Sequence, residues 1–260
     1  MPAPRRQIHP TAPRRRTELM TPQPARTTGH GRANTAAHLI YRELREDIVS
    51  MRRAPGQPIV EKEIAVARGV SRTPVREALL RLADEALIEI FPQSGTFVAR
   101  IPVGALPEAI LIRKALEETS ARLAAERAQA RDIARLHALM KRQRQVESRG
   151  DREGFHQADE AFHAAIAEAA GHPGIWRFVE QVKIQIDRYR RLTLPVPGRM
   201  RRVLGEHAAI VSAIEAHDPA RAAAAMTAHL DGLAASIADV RDLNPDYFVD
   251  GGAPAKILSA

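Results

Sequence analysis

The chain has 260 residues, 45% of them apolar, and its 39 Lys+Arg against 31 Asp+Glu give a formal charge of +8. That length allows one large domain or two modest ones with a sizeable core, and the absence of cysteine excludes disulfides, thiolate metal sites and cysteine nucleophiles together. No apolar window approaches the roughly 18 residues of a membrane helix, and the N-terminal stretch lacks the apolar centre of a secretory signal, so a soluble, cytoplasmic protein is expected.

The charge is concentrated at one end. Residues 1–34 hold seven Arg against Glu18 alone, a local +6, whereas residues 35–100 and 101–260 each sum to +1. Rich in Pro, Thr and Arg and without apolar period, residues 1–34 read as a disordered basic tail. Its role is either a solvated extension or an arm that adds DNA affinity and salt dependence without sequence choice.

Order is expected from about Thr35. Leu39-Ile40, Leu44, Ile48 and Met51 recur every three or four positions, as on one helix face, and Pro55-Gly56 stops that helix. Ile59–Arg68 reads as a second short helix closed by Gly69. A third runs from about Ser71 to Ala86, burying Val75, Ala78, Leu79, Leu82 and Ala86, with Ser71 as N-cap and Pro74 in its first turn. Leu87–Phe91 and Thr96–Ile101 are β-prone runs separated by Pro92-Gln93-Ser94-Gly95, a hairpin signal. Three helices and a hairpin spell a winged helix-turn-helix over residues 35–101.

On the third helix Arg72 and Arg76 lie one turn apart, opposite the apolar face, with Thr73 beside them. A guanidinium fork suits the O6 and N7 atoms of guanine, and Ser71 and Thr73 suit phosphates. A solvated face with a Glu77–Arg81 pair is the plainer alternative. The wider string is more specific. Tyr41-x-x-Leu44-Arg45-x-x-Ile48, Glu61-x-x-Ile64-Ala65, Gly69-Val70-Ser71-Arg72-Thr73-Pro74-Val75-Arg76-Glu77-Ala78-Leu79-x-x-Leu82 and Gly95-Thr96-Phe97-Val98 resemble the DNA-binding domain of GntR-family transcriptional regulators. That resemblance implies DNA contacts from Lys62, Ser71, Arg72, Thr73 and Arg76 and from the hairpin tip at Gln93 and Gly95. One departure is Glu85-Ala86-Leu87, where the family commonly has Gly at the middle position. Ala86 takes a left-handed turn less cheaply than glycine, so the helix is expected to run on slightly.

From Gly104 the chain reads as wholly helical. Breaks at Gly150-Asp151, Gly171-His172-Pro173, Pro195–Gly198 and Asp218-Pro219 divide it into six segments near 105–128, 130–148, 152–170, 173–194, 199–216 and 219–240. The expected architecture is therefore mainly α: the winged helix-turn-helix, then an all-α antiparallel bundle over 104–240, with a loose C-terminal tail at 241–260.

Polar residues interrupt the apolar stripes of this half. Phe155, Asp159, Phe162, His163 and Ile166 share one helix face, as do Leu204, His207, Val211 and Ile214, and Met226, His229 and Leu233. Asp159, His163, His207 and His229 are four inward groups suited to a divalent cation, and each histidine taken singly also fits a satisfied core residue. His156, His172 and His217 read as ordinary helix or turn histidines. Asp159-x-x-Phe162-His163-x-x-Ile166, Glu206-His207-x-x-Ile210-x-x-Ala213-Ile214 and Asp218-x-x-x-Ala222-x-x-x-Met226-x-x-His229-Leu230 resemble the FCD domain of FadR-type regulators, with a helix count like its six-helix, VanR-type group. The resemblance implies a divalent metal on those four residues, Zn with Ni or Mn as alternatives. It also implies a small organic or sugar acid effector clamped by Arg113, with Tyr189 and Arg190 as further candidates. A helix-surface pair with Glu117 is the plainer reading of Arg113.

The resulting expectation is a non-enzymatic, effector-responsive regulator that binds a palindromic DNA operator as a homodimer. A metallohydrolase with Glu160 or Glu206 as base is the alternative from another class, although neither residue lies in a catalytic motif such as HExxH. A non-specific nucleic-acid binder using the arginine tail is a third, disfavoured by the near-neutral balance from residue 35 onward.

Overall fold

A computed structural model describes residues 30–234, 237, 241–242 and 244–250. The expected tail thus lies mostly outside the described residues, as does the end of the C-terminal one. Among the described residues no helix is long and apolar enough to cross a membrane.

The N-terminal half comprises α1 (His30–Val49), β1 (Pro58–Ile59), α2 (Glu61–Arg68), α3 (Arg72–Asp84), β2 (Ile88–Phe91) and β3 (Gly95–Val98). Helix α1 starts earlier than Thr35. Its 3–4 spaced residues Ile40, Leu44 and Ile48 meet Val75, Ala78, Leu79 and Leu82 of α3 in one buried cluster, closed by Leu87 and Val98. The hairpin is antiparallel, with Ile88 opposite Val98 and Phe91 opposite Gly95, and the unforeseen strand β1 adds to the far edge of β3. Tyr41 Oη donates to Glu85, whose other oxygen takes Arg45 Nε at 2.7 Å, tying α1 to the end of α3. Burial and the Glu85 charge push the Tyr41 hydroxyl up to about 12.

Two local expectations are corrected. Ser71 takes the extended N-cap position of α3, but its side chain makes no cap hydrogen bond. Nor does α3 run on: Ala86 adopts φ +54°, and Leu87 N–H returns to Leu82 O at 2.9 Å. The chain needs that left-handed turn to send Leu87 back into the core, and the turn forms despite the Cβ.

The C-terminal half holds β4 (Ile101–Pro102), α4 (Leu106–Arg127), α5 (Ala130–Ser148), α6 (Arg152–Ala169), α7 (Pro173–Val182), α8 (Ile184–Thr193), α9 (Arg199–Glu215), α10 (Pro219–Ala234) and β5 (Phe248–Val249). Every predicted break is present. Asp151 caps α6 by accepting from Gly154 N–H at 2.8 Å, and Asp218 accepts from Arg221 N–H at 3.0 Å before α10. The segment 173–194, read as one helix, is divided at Lys183, which gives seven helices among the described residues rather than six. The count therefore no longer singles out the six-helix group. Lys183 turns its ammonium inward to Glu160 and Asp187, and the chain bends there without Pro or Gly.

Helix α4 is the axis of this half, packing on α6, α7, α9 and most extensively on α10. Small residues permit the close approach: Ala121, Ala124 and Ala125 of α4 and Ala222 of α10 are all buried in one core. The buried face of α4 also includes Arg113 and Glu117. Part of the expected loose tail is ordered, because β5 pairs in parallel with β4, Ile101 opposite Phe248, and the Phe248 ring enters the core.

The two halves share a joint at α8. Ile184 packs against the N-terminal core, Gln185 Nε2 donates to Ala86 O at 3.3 Å, and the Arg188 guanidinium donates to Ala99 O. Replacing Ala86 with Gly should raise the stability of the N-terminal half by about 1 kcal/mol, since the backbone already occupies the left-handed region. Urea unfolding of the full chain beside the Ala86→Gly variant reads this directly. An unchanged or lower midpoint would show that the turn carries no such cost.

Candidate DNA-reading surface and metal centre

The DNA-reading residues inferred from sequence are all on the surface. Lys62 on α2, Ser71, Arg72, Thr73 and Arg76 at the start of α3, and Gln93 and Gly95 at the hairpin tip are each exposed. The tip is tight, with Ser94 N–H donating to Phe91 O at 3.1 Å, Gln93 at φ +64° and Gly95 at +121°. Sequence reading missed Glu61. Its Oε2 accepts from Arg76 Nε at 3.1 Å and lies 3.3 Å from Arg72 Nη2, so one carboxylate from α2 holds both arginines at the start of α3. Arg81, cast with Glu77 in the plainer reading, lies over the Tyr41 ring at 4.1 Å.

In the helical half, α6 contributes Asp159 and His163, α9 contributes His207 and α10 contributes His229, and all four are buried. The three histidines each place a possible ligand atom within 4.8 Å of the others. Asp159 stands beside two of them, Oδ1 being 3.6 Å from His207 Nε2 and Oδ2 being 3.8 Å from His163 Nε2. The Phe162 ring stacks on His207 at 4.2 Å between centroids, which fixes the plane of that imidazole.

The outer nitrogens all face acceptors. His207 Nδ1 is 2.9 Å from Gln143 Oε1, and Gln143 is itself oriented by donating to Ala158 O at 3.2 Å. His229 Nδ1 is 2.8 Å from Glu206 Oε2, whose partner oxygen takes Arg202 Nε at 2.9 Å. His163 Nδ1 lies against Glu117 Oε2. The contacts of His207 and His229 favour a proton on Nδ1, which turns the Nε2 lone pair inward.

Inside the cluster, His163 Nε2, His207 Nε2 and Asp159 Oδ1 are buried and have no hydrogen-bond partner. Such orphaned acceptors are costly unless something electropositive meets them. Burial, then the neighbouring His229, pushes His207 well below the usual imidazole range, and burial likewise lowers His229, so these two favour the neutral, ligating form. Three imidazoles and a carboxylate are the donor set of a zinc-type site, and these residues fit one.

Two cations adjoin the cluster. Arg190 Nη1 donates to Asp159 Oδ2 at 2.6 Å, and with His163 it holds that carboxyl well below the usual range although burial acts the other way. Arg113 Nε donates to Glu117, and the pair is fully buried rather than a surface ion pair. Burial opposes ionisation of Glu117, yet Arg113 and His163 hold it at about 2. The two Nη groups of Arg113 are buried and unpaired. Tyr189 is fully buried, and its hydroxyl donates to Leu233 O at 3.0 Å, which ties α8 to α10. Arg188 and Arg191 are engaged elsewhere, on Ala99 O and Glu153.

Gln143 and the His163-facing role of Glu117 were missed from sequence. Gln143 left a readable signal, a polar side chain in the buried Leu136, Met140, Val146 stripe of α5.

Comparison with known proteins agrees in both halves. Residues 36–98 match the family of bacterial regulatory proteins called gntR, and residues 108–232 match the FCD domain. The chain is 35% identical over 209 residues to the HTH-type transcriptional repressor RspR of Escherichia coli K12, covering 80% of this chain and 92% of that one. It is 32% identical over 187 residues to a "Probable D-xylose utilization operon transcriptional repressor" of Paenarthrobacter nicotinovorans, covering 71% and 80%. Among solved structures, E. coli McbR/YncC superposes with a TM-score of 0.66 at 24% identity over 78% of this chain and 97% of that one, a likeness of fold. These relatives and domains are those of regulators, not enzymes. The chain belongs to the GntR family of transcriptional regulators, a DNA-binding helix-turn-helix domain followed by an FCD domain.

Proposed function

We propose that this regulator is a cytoplasmic homodimer that binds a palindromic operator through α3 and the hairpin tip, and that a small carboxylate effector held beside a divalent metal in the helical half modulates that binding. The observation that carries this reading is the arrangement of His163, His207 and His229, with outer nitrogens against acceptors and inner ones converging beside the unpaired Oδ1 of Asp159. Asp159, His163, His207 and His229 would hold the metal, zinc by donor type with nickel or manganese as alternatives. When bound, it supplies two positive charges to a buried cluster whose Arg113, Arg190, Glu117 and Asp159 already balance. The excess favours an anion, and the unpaired Nη pair of Arg113 offers the fork that suits a carboxylate. An organic or sugar acid is the class this chemistry selects. A relative named for a D-xylose utilization operon is in keeping with a small metabolite as signal.

The route to DNA is α8. Arg190 contacts the site through Asp159, while Ile184, Gln185 and Arg188 of the same helix contact the DNA-binding half. An effector that draws on Arg113 or Arg190 more strongly in one arrangement of α8 shifts the population of the other, as differential affinity requires.

Three outcomes are expected. The Arg76→Ala substitution should weaken operator binding by about 5- to 150-fold, the loss of one good guanine contact, while binding to random DNA changes little. Parallel gel-shift titrations measure both, and an unchanged ratio would remove Arg76 from base reading. Purified protein should retain close to one divalent ion per chain after dialysis, lost in His207→Ala, and Gln143→Leu should lower metal affinity by roughly 10- to 100-fold while leaving all four ligands in place. Elemental analysis and chelator competition decide this; negligible metal in the wild type would sink the site. Arg113→Lys keeps the charge beside Glu117 but removes the fork, so it should abolish the thermal shift caused by small carboxylic acids without loss of bound metal. An undiminished shift would place the acid elsewhere.

A further inference from the structure

A second group of ligand-type side chains lies outside the histidine cluster. His156, Glu160 and Asp187 bring one possible ligand atom each within 4.8 Å of the others. His156 and Glu160 are one turn apart on α6, and Asp187 faces them from α8. His156 and Asp187 are only 6% and 4% exposed. Yet His156 Nδ1, Glu160 Oε1 and Asp187 Oδ1 are buried without a hydrogen-bond partner. Lys183 answers half of this: its Nζ lies 2.5 Å from Glu160 Oε2 and 2.5 Å from Asp187 Oδ2, and the second oxygen of each carboxylate stays unmatched.

The surroundings also call for positive charge. These residues line a cleft of about 500 Å³ closed on its far side by Arg45, Glu46 and Val49 of α1, the first helix of the DNA-binding half. Five carboxylates and three cationic side chains line it, an excess of two negative charges. Arg191 is cancelled by Glu153 and Arg45 is paired with Glu85 outside the cleft, which leaves Glu46, Glu160, Glu180 and Asp187 facing Lys183. Unpaired buried acceptors in an electronegative, solvent-reaching cleft are the conditions for a hydrated divalent cation.

We infer that this cleft is a second divalent-cation site, bound by His156, Glu160 and Asp187 and completed by water. One imidazole and two carboxylates form a harder donor set than the three histidines of the first cluster, so the second site favours Mn²⁺ or a comparable ion. Helix α6 thus carries two ligand pairs on one broad face, His156 with Glu160 and Asp159 with His163, and α8 supplies a partner to each, Asp187 to one and Arg190 to the other. A cation there braces α6 against α8 where α8 meets the DNA-binding half. The assignment stands independently of the effector reading.

Titration of the chelator-stripped full chain with Mn²⁺, with free ion followed by electron paramagnetic resonance, tests it. The expected result is a bound Mn²⁺ equivalent that survives in His207→Ala and that His156→Ala or Asp187→Asn, each added to the His207→Ala chain, abolishes with unchanged helical circular dichroism. Lys183→Gln removes the competing internal cation and should tighten this equivalent by about tenfold or more, a response that a purely structural cluster would not give. The inference is overturned if no Mn²⁺ equivalent survives in His207→Ala, if one persists when His156→Ala or Asp187→Asn is added to that variant, or if Lys183→Gln leaves the affinity of the His207→Ala chain unchanged.

Discussion

Arg190 and Asp159 form a guanidinium–carboxylate pair buried between α8 and α6, and both are within the lowest few percent of exposure. Removing either partner alone would strand a charge in a low-dielectric core, a loss of about 3–5 kcal/mol. The pair therefore commits the two helices to each other. It also fixes which oxygen of Asp159 is left for the histidines, since Arg190 takes Oδ2 and Oδ1 is unpaired. Because α8 in turn touches Ala86 and Ala99 of the first half, the orientation of the DNA-binding domain and the geometry of the buried cluster rest on one helix of ten residues.

How much of this was legible depends on how local the cause was. The first half was readable because its elements are set by short-range rules: 3–4 spacing of Ile40, Leu44 and Ile48, Gly69 as C-cap, and turn residues between two β-prone runs. The buried stripes through His163, His207 and His229 are equally local, so helical periodicity alone marks those residues as inward. Three features escaped for physical reasons. The division at Lys183 has no Pro or Gly to announce it, and the lysine there pairs with Glu160 of another helix as well as with Asp187. Strand β5 pairs across almost 150 positions of sequence, and nothing near Phe248 names its partner. His156 looked like any helix histidine, because its meaning comes from Asp187 on another helix.

The Ala86 turn shows the opposite case, in which a correct local rule gave the wrong outcome. Left-handed backbone does disfavour a Cβ, but the alternative is to leave Leu87 and the hairpin out of the core. Tertiary burial outweighs about 1–2 kcal/mol of local strain here, as it commonly does for propensity. The same weighing applies to the charged stripe of α4. Arg113 and Glu117 are tolerated inside because each supplies the other's counter-charge, while the two Nη groups of Arg113 are left buried without a partner.

The segment between the halves is held from two sides. Ala99 O accepts from Arg188, and two residues later Ile101 is paired with Phe248 of the returning chain. A tether restrained in this way does not behave as beads on a string, in which each domain samples its own orientations. It acts as a fulcrum, because the DNA-reading head is joined to the bundle by the Arg188–Ala99 and Gln185–Ala86 hydrogen bonds as well as by the chain itself. In a dimer, the separation of the two heads would then follow from the stiffness of this joint, and with it the half-site spacing that the pair can span.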